Sequence, residues 1–118
     1  MAADINDGRL FVYGTLREER ARNSLLGRRI ESFPARLPGF GTGRRRHFYV
    51  VRRGGSEVEG AVLSGLTARD LEILDAYEDV PNLYTRERVE VIDSAGDRLG
   101  CWIYLPTAWV RGSVEGME

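Results

Sequence analysis

The stretch LFVYGTL, residues 10–16, is the part of the sequence from which the fold can be worked out. Its first four residues form a short apolar run rich in aromatic side chains, which predicts a buried strand, and Gly14 then predicts a tight turn. A glycine at this point lets the backbone turn sharply and leaves successive amide N–H groups free to hold an anion or a carbonyl oxygen. An ordinary turn at a strand end has the same pattern, so both interpretations stay open.

Further strands and two helices are predicted beyond this stretch. Residues 19–26 predict a short helix that ends at Gly27, and residues 67–77 predict the clearest helix, with Thr67 as its cap and Asp70 as a capping-box partner. Strands are predicted at 29–37, before a Pro38–Gly39 turn, at 47–51 and 58–63 on either side of Arg52–Gly55, around Val89 and Val91, and, after a Ser94–Asp97 hairpin turn, at 99–105 with Cys101, Ile103 and Leu105 on one face. About six strands and two helices predict an α+β domain with a small curved sheet or open barrel.

Length and composition favour one domain of ordinary globular type. The chain has 118 residues, 42% of them apolar and 30% charged, so we expect a single domain at 9–107 with loose tails at 1–8 and 108–118. The formal net charge of −1 gives no overall attraction to nucleic acid or to an anionic membrane. The polar, acidic N-terminus lacks the apolar core of a signal peptide, and no run of roughly 18 apolar residues occurs, so we expect a cytoplasmic protein.

Cys101 and His47 are the only cysteine and the only histidine. A disulfide within the chain is therefore impossible, and a metal site built from several cysteines or several histidines is excluded. Nucleophilic catalysis by serine or cysteine would need a His–carboxylate pair, for which the sequence has no specific signal. We expect Cys101 to be a small core residue.

Glu78 is the first candidate for chemistry on physical grounds alone. If the second helix continues to this residue, Glu78 lies four residues after Leu74 and seven after Leu71, on the same apolar face. A carboxylate directed inwards at the negative end of a helix has a raised pKa, which suits proton exchange near neutral pH. In the alternative interpretation, Glu78 lies just past the helix and pairs with Arg86 or Arg88.

Two segments of the chain form a pattern that is known from other proteins. The first is FVYGTLR, residues 11–17, followed by Asn23 and by Leu25, Leu26 and Gly27; the second is LDAYE, residues 74–78, followed by Tyr84, Arg86, Val89 and Val91. Residues 35–40 and 58–60 lie between them in the expected order. Together the segments resemble the two signatures of the gamma-glutamylcyclotransferase-like family, over roughly residues 9–106. The resemblance implies a small mixed β-barrel that encloses a pocket.

The resemblance also implies a reaction and the residues that perform it. The substrate-binding loop of the family matches Tyr13, Gly14, Thr15 and Leu16, and its catalytic glutamate matches Glu78. The implied reaction is an intramolecular aminolysis, in which the α-amine of a small gamma-glutamyl amide or amine attacks its own γ-carbonyl and releases 5-oxoproline and an amine. Glu78 would move the protons, and the backbone N–H groups of the loop would stabilise the oxyanion. The resemblance implies that no metal and no organic cofactor is required.

Three further residues have open roles. Tyr84 either lines the pocket or packs in the core as a strand aromatic. Arg86 either orients Glu78, binds a substrate carboxylate or lies exposed at a strand edge. Asn23 fits the family pattern, and it also fits a simple cap or turn in the local chain.

The segment from Gly39 to Arg53 is unusually basic, because it contains Arg44, Arg45, Arg46, Arg52 and Arg53. This segment fits three interpretations: a solvated loop, a nucleic-acid surface, or a surface that attracts an anionic substrate. We favour a small-molecule gamma-glutamyl substrate as the partner, with no nucleic acid and no membrane. The other hypotheses are a catalytically silent binding module of the same fold and a nucleic-acid-binding domain. The leaving amine and the oligomeric state stay open.

Overall fold

Five strands and two α-helices occur in the part of the chain that the computed structural model describes, residues 8–42, 50–108 and 110. The strands are β1 (Leu10–Val12), β2 (Ser32–Thr42), β3 (Val50–Leu63), β4 (Tyr84–Asp93) and β5 (Arg98–Pro106). The helices are α1 (Glu19–Leu26) and α2 (Ala68–Tyr77), and one turn of 3-10 helix spans Thr15–Arg17. The predicted tails fall mostly outside the described residues.

The strands close into a barrel in the order β1-β3-β2-β4-β5. The pairings β1–β3, β3–β2, β2–β4 and β4–β5 are antiparallel, whereas β1 pairs parallel with β5, where Leu10 lies opposite Trp102. The predicted α+β class and mixed barrel are therefore confirmed. Because β1 is bonded along both edges, the turn that follows it starts from a fixed point on the barrel.

The strand count is five and not about six, because the predicted strands at 47–51 and 58–63 belong to one strand. Arg52–Gly55 does not interrupt β3, and the predicted Pro38–Gly39 turn is wrong as well, since both residues lie within β2. The register shifts between Pro38 and Phe40, and both Gly39 (φ 84°) and Gly55 (φ 83°) are left-handed there. Glycines absorb such a bulge without ending the ladder. The start of the predicted strand, residues 47–49, lies outside the described residues.

Two apolar clusters hold the molecule together. One cluster is built from buried side chains of all five strands, among them Phe11, Leu37, Val91 and Ile103. The other lies between the barrel and the helices and is built from residues such as Leu10, Leu26, Leu71, Leu74 and Tyr104. Since side chains alternate along a strand, Cys101, Ile103 and Leu105 face the first cluster as predicted, and Tyr104 faces the second.

The helices begin and end where the sequence predicts. Thr67 Oγ1 accepts from the Asp70 amide at 3.0 Å, and Asp70 Oδ2 accepts from the Thr67 amide at 2.9 Å, which completes the capping box of α2. Helix α1 ends at Gly27, whose φ of 73° is left-handed and whose N–H donates to the Asn23 carbonyl at 2.8 Å. The caps set where each helix begins or ends, and Leu71 and Leu74 pack α2 against the barrel.

Candidate functional site

A pocket of about 190 Å³ lies where the end of β1, the 3-10 turn and the C-terminal end of α2 meet. It is lined by Phe11, Val12, Tyr13, Gly14, Leu16, Tyr77, Glu78, Tyr84 and Tyr104. The fold thus brings five of the six predicted site residues into one pocket, although they lie 71 positions apart at the extremes (84 − 13). The sixth, Thr15, begins the 3-10 turn between Gly14 and Leu16, and its side chain lies outside the described part of the chain.

Glu78 caps the C-terminal end of α2. Its N–H still donates to the Leu74 carbonyl at 2.9 Å, so the helical hydrogen-bond pattern reaches this residue and its side chain follows the face of Leu71 and Leu74. The residue is half-buried, and burial raises the pKa of its carboxyl group above the ordinary value. The negative end of the helix dipole acts in the same direction.

The alternative interpretation, a pair between Glu78 and Arg86 or Arg88, is wrong for Arg86. Arg86 binds Asp75 instead, with Nε 2.8 Å from Oδ1 and Nη2 3.2 Å from Oδ2. Its guanidinium also lies 4.4 Å from the centre of the Trp102 ring, as that of Arg88 does at 4.8 Å. Among the ion pairs that the structure describes within residues 8–42 and 50–108, none includes Glu78. No described cation therefore offsets the effect of burial on this carboxyl group.

The loop after β1 lines the same pocket with Tyr13, Gly14 and Leu16. The Arg17 amide donates to the Gly14 carbonyl at 3.0 Å, which closes the 3-10 turn, and the N–H groups at the start of such a turn have no acceptor within it. A Cβ placed on Gly14 meets no atom within 4 Å, so this glycine leaves open space. Buried Arg22 holds the other end of the turn, because its Nη1 donates to the Arg17 carbonyl at 2.8 Å.

Two of the tyrosines in the pocket, Tyr13 and Tyr84, were predicted from the sequence. Tyr13 Oη donates to the backbone carbonyl of Tyr104 at 3.1 Å. Burial raises the pKa of both phenols; the charge of Glu78 adds to the rise in each, and Tyr84 adds to the rise in Tyr13. Both phenols therefore stay protonated at neutral pH, which makes them neutral neighbours of the carboxylate.

The sequence interpretation missed Tyr104, Asp75 and Tyr77. Tyr104 Oη donates to Asp75 Oδ1 at 2.7 Å, and burial is the first cause that raises the pKa of this phenol. Alternation along β5 places Tyr104 on the face opposite to Cys101, which is a signal for its side but not for its partner. Tyr77, at the rim, is the large apolar side chain that stays exposed in the described chain, at 54%. Its position next to Glu78 was the available signal.

Other predicted residues have structural contacts. Asn23 Oδ1 accepts from the Ile30 amide at 2.8 Å, so it supports the chain after α1 and does not line the pocket. Cys101 is fully buried, which confirms it as a core residue, and burial raises the pKa of its thiol to about 12. Within residues 8–42 and 50–108, no group of three or more His, Cys, Asp or Glu side chains is arranged to hold a metal ion.

The basic segment is described only at its ends. Arg52 Nη2 lies 3.7 Å from Glu87 Oε1, with its guanidinium over Phe40, and Arg53 Nη1 donates to the Thr42 carbonyl at 3.4 Å. Arg44, Arg45 and Arg46, together with His47, lie outside the described residues. The described helices are all too short or too polar to cross a membrane.

Comparisons with known proteins agree on one family. The family model described as gamma-glutamyl cyclotransferase, AIG2-like, matches residues 10–116. AIG2-like protein C of Arabidopsis thaliana is 40% identical over 86 residues, which are 70% of this chain and 49% of that protein, so the chain spans about half of the relative's length.

Solved structures agree with the barrel. The solution structure of an Arabidopsis thaliana protein superposes with a TM-score of 0.78 at 26% identity and covers 98% of this chain and 88% of its own. A solved gamma-glutamyl cyclotransferase superposes with a TM-score of 0.73 at 24% identity, over 85% of this chain and 66% of that one. The second likeness supports the fold alone.

Proposed function

The chain belongs to the gamma-glutamyl cyclotransferase, AIG2-like family, and we propose that it cleaves a gamma-glutamyl amide or amine by intramolecular aminolysis. The products are 5-oxoproline and the free amine. One observation carries the proposal: Glu78, half-buried and with a raised pKa, lines the same pocket as Gly14 and Leu16 and has no ion-pair partner in the described chain. A carboxylate in this environment suits proton transfer near neutral pH.

The chemistry begins at the substrate's own α-amine. The α-ammonium group first loses one proton to solvent. Glu78 then takes a second proton from the neutral amine while the nitrogen lone pair attacks the γ-carbonyl carbon to form the new C–N bond of a five-membered ring. The carbonyl π electrons move to oxygen, which becomes an oxyanion. Because nucleophile and carbonyl belong to one molecule, the protein mainly has to bend the substrate and move protons.

The second half of the reaction returns the proton. Glu78 donates it to the leaving nitrogen, the carbonyl re-forms, and the old C–N bond breaks with its electron pair on the leaving amine. Backbone N–H groups at the start of the 3-10 turn, at Thr15 and Leu16, are the candidates for stabilising the oxyanion, since they have no acceptor within the turn. The mechanism needs no metal and no organic cofactor.

Binding is assigned to the rest of the pocket. Gly14 leaves room for the substrate chain beside the loop, and Leu16, 5% exposed, supplies an apolar floor. Tyr13 and Tyr84 are proposed to flank the gamma-glutamyl group, and the substrate contact of Thr15 stays a prediction. A cytoplasmic location and a free small molecule as the partner belong to the same proposal.

Release of 5-oxoproline from a panel of gamma-glutamyl compounds tests the proposal. We expect release by the wild-type protein and none by Glu78→Gln, which keeps the shape of the side chain but cannot exchange the proton. Glu72→Gln is the matched control, because Glu72 lies exposed on the same helix and pairs with Arg69 at 3.3 Å. It should release 5-oxoproline at the wild-type rate.

Other results would contradict the proposal. If Glu78→Gln stays as active as Glu72→Gln, Glu78 is not the acid–base residue. If the wild-type protein binds gamma-glutamyl compounds and releases nothing from any of them, the silent binding module is the better description. Tight nucleic-acid binding that weakens steeply with salt would favour the third hypothesis.

A further inference from the structure

Asp75, one helical turn before Glu78, is bound by two groups at once. Arg86 holds both of its oxygens, at 2.8 Å and 3.2 Å, and Tyr104 Oη lies 2.7 Å from Oδ1. Residues three apart on a helix are neighbours on its surface, with Cβ atoms about 5–6 Å apart. Tyr104 and Glu78 both line the pocket, and, besides burial, the charge of Glu78 is among the causes that raise the pKa of the Tyr104 phenol.

The direction of these hydrogen bonds decides what the pocket offers a ligand. A carboxylate that pairs with a guanidinium can only accept hydrogen bonds. Tyr104 therefore donates its single proton to Asp75 and has only lone pairs left for other partners. Tyr13 likewise spends its proton on the Tyr104 carbonyl. Two of the phenols that line the pocket can therefore act toward a ligand as acceptors and not as donors.

The charges around the pocket point the same way. Among the described lining residues, none is Lys, Arg or His, and Glu78 is the only acidic one. Arg86 is paired with Asp75, so its charge is locally compensated. A wall of one carboxylate and lone pairs complements an ammonium group, which has three N–H donors and no acceptor.

Resting on the proposed function, we propose that Tyr104 binds the α-ammonium group of the substrate beside Glu78, with Asp75 as the positioning residue that holds Tyr104 as an acceptor. Substrates would then be recognised through a free α-amino group, before any chemistry takes place. Asp75→Asn reverses the direction of this hydrogen bond, since a side-chain amide N–H can donate to the Tyr104 oxygen. The phenol proton is then free to donate to the ligand.

Two ligands that differ in one group test this role. They are γ-L-glutamyl-methylamide and glutaric acid monomethylamide, which lacks the α-amino group. Both are titrated by calorimetry into Glu78→Gln protein, which does not turn over and in which the charge of residue 78 no longer contributes. We expect the amine-bearing ligand to bind roughly tenfold more tightly, as for one hydrogen bond to a charged group.

Second substitutions in that protein separate recognition from folding. Tyr104→Phe and Asp75→Asn should reduce the preference to within about twofold, the limit left when that hydrogen bond is lost, mainly by weakening the amine-bearing ligand. Asp70→Asn is the matched control, because Asp70 is also an α2 residue that pairs with an arginine, Arg28, but lies at the other end of the helix. It should keep the full preference, even if it lowers stability.

The outcomes keep the two proposals apart. If Tyr104→Phe or Asp75→Asn weakens both ligands by the same factor, or leaves the preference intact, the contact is only structural and the inference is wrong. Release of 5-oxoproline by the wild-type protein would still stand in that case. No release from any gamma-glutamyl compound, together with no binding of either ligand, would overturn the proposed function and this inference with it.

Discussion

Asp70 and Glu78 lie at opposite ends of α2 and have opposite surroundings. At the N-terminal end, burial acts to raise the pKa of Asp70, but hydrogen bonds from the Thr67 amide and Arg28 outweigh it, and the pKa is lowered. At the C-terminal end, burial raises the pKa of Glu78, and no described cation opposes it. The helix dipole favours the anion at the first position and disfavours it at the second.

The contrast shows how one helix separates stability from reactivity. Asp70 is held ionised by its cap and its ion pair, so it contributes to folding and is a poor proton acceptor. Glu78 faces a pocket and lacks such partners, so its anion is disfavoured and its affinity for a proton is increased. Groups of the second kind reduce stability and are common at functional sites.

After the loss of activity expected for Glu78→Gln, the next largest effect comes from moving the carboxylate of Glu78 without removing it. Glu78→Asp withdraws the group by one methylene, and a displacement of about 1 Å at a reacting group costs roughly 100-fold in rate. We therefore expect kcat for 5-oxoproline release to fall about 100-fold, with circular dichroism unchanged. A variant within threefold of the wild type, roughly 0.6 kcal/mol in the barrier, would show that the position of this carboxylate is not critical.

Asp70→Asn should lower the free energy of unfolding and leave activity unchanged. Loss of the charge removes the pair with Arg28 and the favourable interaction with the helix N-terminus, which together are worth about 1–2 kcal/mol. Urea denaturation measures the loss. Well below the melting temperature, the activity of this variant should match that of the wild type. A large fall in kcat in fully folded protein would show that Asp70 contributes to activity as well as to stability.

Gly14→Ala tests the open space beside the loop that follows β1. Its backbone is not left-handed and a Cβ meets nothing within 4 Å, so we expect normal folding, but the methyl group enters the pocket. We expect KM to rise about tenfold, since one methylene in a pocket is worth about 1–3 kcal/mol. Gly54→Ala is the matched control, because Gly54 in β3 has the same freedom and does not line this pocket. An equal rise in KM in both variants would contradict the assignment.

The pH dependence of stability should carry opposite signs at the two ends, and this is the smallest effect. The pKa of Asp70 is lowered on folding, so its contribution is present above the ordinary Asp pKa and is lost as pH falls through the folded pKa. The pKa of Glu78 is raised, so its contribution is full below the ordinary Glu pKa and is lost as pH rises through the folded pKa.

Urea denaturation midpoints, measured from below the ordinary Asp and Glu pKa values up to neutral pH, give the contributions of Asp70 and Glu78 to stability. Asp70→Asn should flatten the acid limb of the stability profile. Glu78→Gln should remove the loss on rising pH and leave the protein slightly more stable than the wild type at neutral pH. A Glu78→Gln protein that is less stable than the wild type at neutral pH would show that the ionised carboxylate has a stabilising partner.

Much of the local structure could be predicted because its causes lie within a few residues. The cap of α2 needs only Thr67 and Asp70, and the end of α1 needs only a glycine that accepts a left-handed conformation. The family resemblance carried by residues 11–17 and 74–78 predicts that Tyr13, Gly14, Leu16 and Glu78 share a site, and all four line one pocket. The bulge in β3 was mistaken for a loop, because two adjacent glycines are typical of both.

The sequence by itself determined the capped helices, the alternation of the strands and the candidate acid, since hydrogen bonds and periodicity over short separations decide them. Only the tertiary structure decided which charges Glu78 meets. Arg86 binds Asp75, Tyr104 reaches Asp75 across 29 positions, and Tyr13 reaches the Tyr104 carbonyl across 91. Closure of the barrel brings these groups together. No local sequence pattern predicts such contacts, because the two partners lie far apart in the sequence and the residues between them do not determine which groups meet.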